Sequence, residues 1–253
     1  VDGFYEGLAA LAARHDVTVV GGDTVTSPRA LVVDVMVLGE VEPEHVLLRS
    51  GARPGDLVMV TGQLGASAAG LDLLLSRRRR TAGRVVQAEP AAVQATAGAG
   101  DRRIEAEWGE LIRSHCQPTP RIAEARVLAA SGAVTAADDI SDGLAREIRE
   151  ICSASDAGAI IHADRIPIGE ATRRLASSRG KSALEYALYG GEDYELVFTA
   201  APEAAALLAE TVYQRTGTMV TVVGEIRPRE DGIRLIDENG RSHALRDGWD
   251  HFA

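Results

Sequence analysis

Asp138, Asp139 and Asp142 fall within five positions of one another, beside Ser141 and Gly143 and directly ahead of a stretch with helical spacing. Asp and Ser are good N-caps, and anions are favoured at the positive end of a helix, but one carboxylate would satisfy that need. Three ionised carboxylates held close together repel one another unless a cation or a proton joins them. A calcium loop beginning at Asp138 would put Ile140 at its third position and Arg149 at its twelfth, where ligands are indispensable. Magnesium fits the spacing better, because it uses one or two carboxylates together with waters and phosphate oxygens. On spacing alone, a capped surface turn stays open beside the metal reading.

Two further stretches bear on the choice. VVGGDT (19–24) is a strand-like run ending in two glycines, then Asp23 and Thr24. Such a turn lets backbone approach a phosphate while a carboxylate holds a metal, and it is also a common plain turn. GGEDYELVF (190–198) sets Glu192 and Asp193 between the end of a helix and a strand, which reads equally as a polar turn. The familiar nucleotide signatures are missing. Lys181-Ser182 follows Gly180, but Leu175 stands where a P-loop needs its first glycine, and TGQLGASAAG lacks the GxGxxG register. Neither HExxH nor GxSxG nor a zinc-ligand spacing occurs.

The elements that must position these residues interleave along the chain. A helical pattern over the first residues places Phe4, Leu8, Leu11 and Ala12 on one face, and strands are expected at 17–20 and 30–41. A Pro-Gly turn precedes a third strand ending at Gly62, which opens a glycine-rich bend and a helix. Residues 76–103, rich in Arg, Ala and Gly, read as a surface excursion, with Arg77 to Arg80 a solvated helix end. Helices are expected at 121–131, from about 143 to 155, through ALEYALYG with Gly190 as a left-handed cap, and near 202–215. Strands are expected at GAIIHADRIP, YELVFTA, MVTVVGEI and GIRLIDENG. The fold class is therefore α+β.

Composition narrows the partners. The 253 residues are 45% hydrophobic and 25% charged, enough for a sizeable core, with a net charge of −10 that argues against a nucleic-acid surface. Isolated Cys116 and Cys152 fit a reducing cytoplasm, and no apolar stretch approaches the ~20 residues that cross a bilayer. The opening residues read as helix rather than as a signal peptide, and a helical pattern already under way at Val1 suggests that an N-terminal piece precedes it.

Taken in order, VVGGDTVTSP, RSGARPGDLVMVTGQLGASAAGL, DISDGL, GGEDYELVFT and the terminal GWDHF resemble thiamine-monophosphate kinase, from about Phe4 to Phe252. That family shares an ATP-binding fold with aminoimidazole ribonucleotide synthetase, selenophosphate synthetase and a hydrogenase-maturation protein. The resemblance implies a two-domain synthetase-like fold, with residues 1–43 the remnant of an N-terminal α/β domain that binds ATP and Mg²⁺ and residues 44–253 a C-terminal α/β sandwich. It implies ATP-dependent phosphorylation of thiamine monophosphate to thiamine diphosphate by direct in-line transfer, in a cytoplasmic enzyme that is a homodimer when full length. Asp23, Asp139 and Asp142 then correspond to Mg²⁺ ligands. Gly22, Asp23, Arg49, Ser141 and Tyr5 correspond to ATP contacts, and Glu192 and Trp249 to positions that hold the thiamine moiety. No covalent catalytic residue is implied, since phosphoryl transfer rests on positioning and charge neutralisation. The family also places acidic motifs ahead of the segment where this chain starts, which would leave the chain inactive alone. A sister synthase acting on another small molecule, or a fragment that only binds, are the alternatives.

Overall fold

A computed structural model describes residues 1–82 and 99–246 of the chain. These residues divide into two compact units, Val1–Glu40 and Val41–Ala253. The first holds helix α1 (Asp2–Arg14), none of whose residues is buried. The strands expected at 17–20 and 30–41 do not form: among the described residues both segments lie outside any ladder, with Val20 94%, Met36 85% and Leu38 87% exposed. Alternating β-branched residues make a segment strand-competent, but a strand exists only once a neighbour takes up its backbone hydrogen bonds.

The second unit carries β1 (Leu57–Thr61), α2 (Ala66–Ala82), α3 (Ala99–Cys116), α4 (Ile122–Ser131), β2 (Val134–Asp139), α5 (Leu144–Ser155) and β3 (Ala157–His162). It continues through α6 (Glu170–Ser178), α7 (Ala183–Tyr189), β4 (Leu196–Ala200), α8 (Pro202–Thr216), β5 (Val220–Pro228), β6 (Ile233–Ile236) and β7 (Ser242–Ala244). The seven strands form one sheet in the order β2-β4-β1-β5-β3-β6-β7, antiparallel throughout except for the β3–β6 pair.

Period-two alternation sends neighbouring side chains to opposite faces. Val58, Val60 and Val197 meet Leu144, Ile148 and Ile151 of α5 on one side. Met59 and Phe198 meet Leu128 of α4 and Leu208 and Val212 of α8 on the other. A third cluster, Ala69, Leu73, Leu111 and Leu175, joins α2, α3 and α6. The helical pattern thus extends into both ends of 76–103, which sequence assigned to an irregular excursion; residues 83–98 lie outside the described residues.

Gly190 ends α7, but in extended and not left-handed conformation, with φ −91° and ψ 132°. A tertiary contact overrides the local cap rule here. A Cβ on Gly190 would stand 2.3 Å from Ala68 Cβ and 2.4 Å from the Tyr186 carbonyl oxygen, so glycine is needed for close packing of α7 on α2.

Candidate functional site

The acidic turn sits where β2 and β4 part. The strands pair through Asp138 opposite Val197 and Asp139 opposite Leu196. Past that point the backbone remains joined. Ile140 N–H donates to the Glu195 carbonyl at 2.7 Å, Tyr194 N–H to the Ile140 carbonyl at 2.9 Å, and Glu192 N–H to the Ser141 carbonyl at 2.8 Å. DISDG and GGEDYEL, which begin 51 positions apart in the chain, are therefore joined along one edge. Contact is so close that a Cβ on Gly191 would lie 2.3 Å from the Ser141 carbonyl oxygen. Glu192 and Tyr194 both adopt left-handed backbone, with φ 69° and 51°. That conformation costs a non-glycine residue roughly 1–2 kcal/mol and is tolerated where surrounding contacts fix it, commonly at functional sites.

This edge gathers Asp139, exposed at the strand end, with half-buried Ser141 and Asp142 and with exposed Glu192. Tyr194, which sequence reasoning passed over, donates its hydroxyl to Glu192 Oε2 at 3.1 Å. Burial raises the Tyr194 phenol above its ordinary value, and the charges of Glu192, Asp139 and Asp142 add to the effect. Arg49 joins the group because Ala137 N–H donates to the Leu48 carbonyl at 2.8 Å, laying residues 48–49 along β2. Its Nε lies 2.6 Å from Asp138 Oδ2. Burial raises the Asp138 carboxyl, and its ion pair with Arg49 works against that rise. Asp138 thus faces its arginine and holds it, whereas the next carboxylate along, Asp139, is exposed.

Among the described residues no group of three or more His, Cys, Asp and Glu side chains converges as a protein cage for a metal. Asp139 and Asp142 supply hard oxygen donors in small number. That set fits Mg²⁺, which completes its shell with phosphate oxygens and water, and does not fit zinc or an all-protein calcium site.

Buried acids underpin the edge. Glu195 accepts Arg121 Nε at 2.7 Å and Nη2 at 2.6 Å on its two oxygens, while Thr61 Oγ1 donates to Oε2 at 2.7 Å. Glu147 takes the N–H groups of Ser141 and Asp142 on a single oxygen, and burial pushes its carboxyl up to about 7. Asp193 accepts the N–H groups of Gly65 at 2.7 Å and Ser67 at 3.2 Å, so the first turn of α2 is occupied by the chain's own carboxylate. One signal was available for Glu147: an acid at the i+3 position of the apolar stripe Leu144, Ile148, Ile151. Glu195 alternates in phase with inward-facing Val197, which is a similar signal.

Asp193 carries a pH prediction. Burial, opposed by the N–H groups of Gly65, Ser67 and Ala66 and reinforced by the charge of Glu195, pushes its carboxyl up to about 7. The folded state therefore binds this proton more tightly than the unfolded chain, where the value is about 3.9. Its contribution to stability is complete below that lower value and is lost as pH rises through about 7. Thermal melts should show stability falling between about pH 4 and pH 7, with a clearly shallower slope in Asp193→Asn. An identical slope in the variant would refute the assignment.

Tyr5, Gly22 and Asp23 belong to the first unit, where all three are exposed. There the Tyr5 hydroxyl lies 3.0 Å from Thr24 Oγ1, and Thr24 N–H donates to Asp23 Oδ1 at 2.8 Å. Trp249 lies outside the described residues. Among the described residues no helix is long and apolar enough to cross a membrane.

Known proteins resemble this chain along its whole length. A family model described as AIR synthase related protein, C-terminal domain, matches residues 53–236. Thiamine-monophosphate kinase of Bacillus subtilis is 32% identical over 253 residues, covering all of this chain and 70% of the relative. The Escherichia coli K12 enzyme of the same name is also 32% identical, with 69% of its length covered. The crystal structure of thiamine-monophosphate kinase from Stenotrophomonas maltophilia K279a superposes with a TM-score of 0.71 at 29% identity, over 96% of this chain and 67% of that one. AaThiL complexed with AMPPCP and TMP superposes at 0.58, also at 29% identity, over 81% and 54%. The hydrogenase maturation protein HypE of E. coli, at 19% identity and a TM-score of 0.56, shares the fold.

Proposed function

This chain belongs to the thiamine-monophosphate kinase family of AIR synthase related proteins, and from that premise we propose that it phosphorylates thiamine monophosphate to thiamine diphosphate with ATP. The reaction is a direct in-line transfer that requires Mg²⁺, in a cytoplasmic enzyme that works as a homodimer. One observation carries the reading to named residues: the three backbone hydrogen bonds that weld the DISDG turn to the GGEDYEL loop. A related structure, AaThiL, was solved with AMPPCP and TMP together.

In this reading Asp139 and Asp142 would hold magnesium, Asp23 would also be a magnesium ligand, and the metal when bound would neutralise charge on the phosphate oxygens. Arg49 faces the nucleotide phosphates, and its guanidinium is oriented by Asp138 before any ligand arrives. Such preorganisation reduces the ordering cost at the moment of binding. Ser141, Gly22 and Tyr5 contact the nucleotide. Glu192, braced by the Tyr194 hydroxyl, offers a carboxylate to the cationic thiamine moiety, and Trp249 offers an aromatic face to the same cation. Residues 1–43 act as part of an N-terminal nucleotide-binding domain and 44–253 as the C-terminal domain.

The test is product formation. Incubation of a full-length version of the protein with ATP, Mg²⁺ and thiamine monophosphate should yield thiamine diphosphate and ADP in equal amounts, and nothing when thiamine monophosphate is left out. ADP released without thiamine diphosphate, or no turnover, would overturn the proposal.

A further inference from the structure

Glu147 lies in the first turn of α5, where an acid would ordinarily face water, yet it is only 2% exposed. Its Oε1 accepts Asp142 N–H at 2.7 Å and Ser141 N–H at 3.2 Å. Both donors precede the N-cap of α5, which is Gly143, and that cap makes no side-chain hydrogen bond. In a capping box the acid sits one position earlier and returns to the N-cap's own N–H, so it serves the helix. Here the acid passes over the helix start and ties down the two residues before it. The helix gains nothing from these bonds, whereas the turn gains a fixed shape.

Burying a carboxylate among apolar side chains is costly, and its proximity to Asp138 and Asp142 adds like-charge repulsion. The two N–H bonds offset part of that cost, since bonds to an ionised acceptor are stronger than neutral ones. From the other side, Ser141 is pinned by its carbonyl to Glu192 N–H. The backbone of Ser141 is therefore held at both its donor and its acceptor, and Asp142 follows directly from it.

We propose that Glu147 is the positioning residue of the acidic turn: by accepting the Ser141 and Asp142 N–H groups it fixes where the Asp142 carboxylate stands, and so sets the affinity of the turn for divalent metal with nucleotide. The proposal rests on the kinase reading and adds to it a residue that touches neither substrate. Acceptance, not charge, is what the turn needs. Glu147→Gln keeps an oxygen of the same reach, whereas Glu147→Leu fills the same volume and accepts nothing.

Two measurements on the full chain test this, with Mn²⁺ and AMPPCP as probes. Electron paramagnetic resonance of Mn²⁺ in the presence of AMPPCP should show affinity falling about 10- to 100-fold in Glu147→Leu, as happens when a residue that orients a ligand is lost, and staying within a few-fold of the parent in Glu147→Gln. Amide exchange at Ser141 and Asp142 should quicken by about tenfold in Glu147→Leu, the loss of one hydrogen bond, and stay near the parent rate in Glu147→Gln, with β1 amides unaffected in both. Faster exchange in Glu147→Leu with unchanged Mn²⁺ affinity would reduce Glu147 to a structural part and overturn the proposal. So would a Gln variant as defective as Leu. If the Leu variant does not fold, Glu147→Gln alone decides, since loss of protection or of affinity there contradicts the proposal and retention of both upholds it. Failure of the parent protein to bind Mn²⁺ with AMPPCP overturns the kinase reading itself, an outcome separate from equal binding by parent and Glu147→Leu.

Discussion

Replacing Asp142 with Asn should lower the rate of phosphoryl transfer by at least about 100-fold, the scale on which losing one preorganised charge-stabilising group acts in a transition state. The melting temperature moves by no more than about 4 °C, the equivalent of 1 or 2 kcal/mol in a chain of this size. The reason for the divergence lies in what the side chain and the backbone each do. Asp142 N–H, bonded to Glu147, belongs to the fold and is retained in the Asn variant. In the proposed reading the carboxylate serves the reaction, and an amide of the same shape would offer a cation one neutral oxygen in place of a charged pair. Steady-state kinetics at saturating Mg²⁺, set beside thermal melts, separates the two. Parent-like turnover at saturating metal would remove Asp142 from the metal site.

Arg121→Ala gives the opposite pattern, a large loss of stability. Its guanidinium forms a two-pronged pair with Glu195, whose carboxylate is nearly inaccessible and also takes the Thr61 hydroxyl. The pair raises the Arg121 pKa chiefly through the hydrogen bond to Glu195. Deleting one member of a buried pair strands the other and costs about 3–5 kcal/mol. Chemical denaturation should show that loss for Arg121→Ala and for Glu195→Ala. The double variant Arg121→Met with Glu195→Leu should recover part of it, because Glu195 is then not left unpaired, while the buried Glu124, 3.7 Å from the same guanidinium, still loses its partner. A double variant as unstable as the sum of the singles would mean that the pair contributes through packing alone. Glu195 also gives its carbonyl to Ile140 N–H, so this pair anchors the edge on which the acidic turn stands.

Much of this was legible in the sequence, for reasons that differ by element. Helix α5 is set by Leu144, Ile148 and Ile151, a local period that tertiary packing only confirms. The segments 17–20 and 30–41 carry equally clear strand composition and still form no ladder, because pairing depends on a neighbour that local sequence does not supply. Edge strand β7 escaped notice since Ser242, His243 and Ala244 are exposed and carry no alternation. Gly190 looked like a helix cap and is instead a packing glycine against Ala68, a distinction visible only in three dimensions.

At the site, the two acidic motifs stood out by composition, but their union did not. It arises from β2 and β4 lying side by side, which places residue 139 opposite residue 196. Asp138 and Asp139 are adjacent and chemically alike in sequence. Their separate surroundings follow from strand alternation and from the course of residues 48–49, which bring Arg49 to Asp138. Buried Glu147 and Glu195, with half-buried Asp193, form the support for this edge. A list of acids gives them no special standing, since burial and backbone donors set them apart.

The most direct test of the central claim, that the acidic turn is a divalent-metal socket for nucleotide, is anomalous diffraction from crystals grown with Mn²⁺, AMPPCP and thiamine monophosphate. The account predicts manganese peaks within about 2.3 Å of carboxylate oxygens of Asp139 and Asp142, bridged to the phosphates of AMPPCP. Nucleotide and manganese bound together at another place, with the Asp139 and Asp142 carboxylates touching only water, would contradict it.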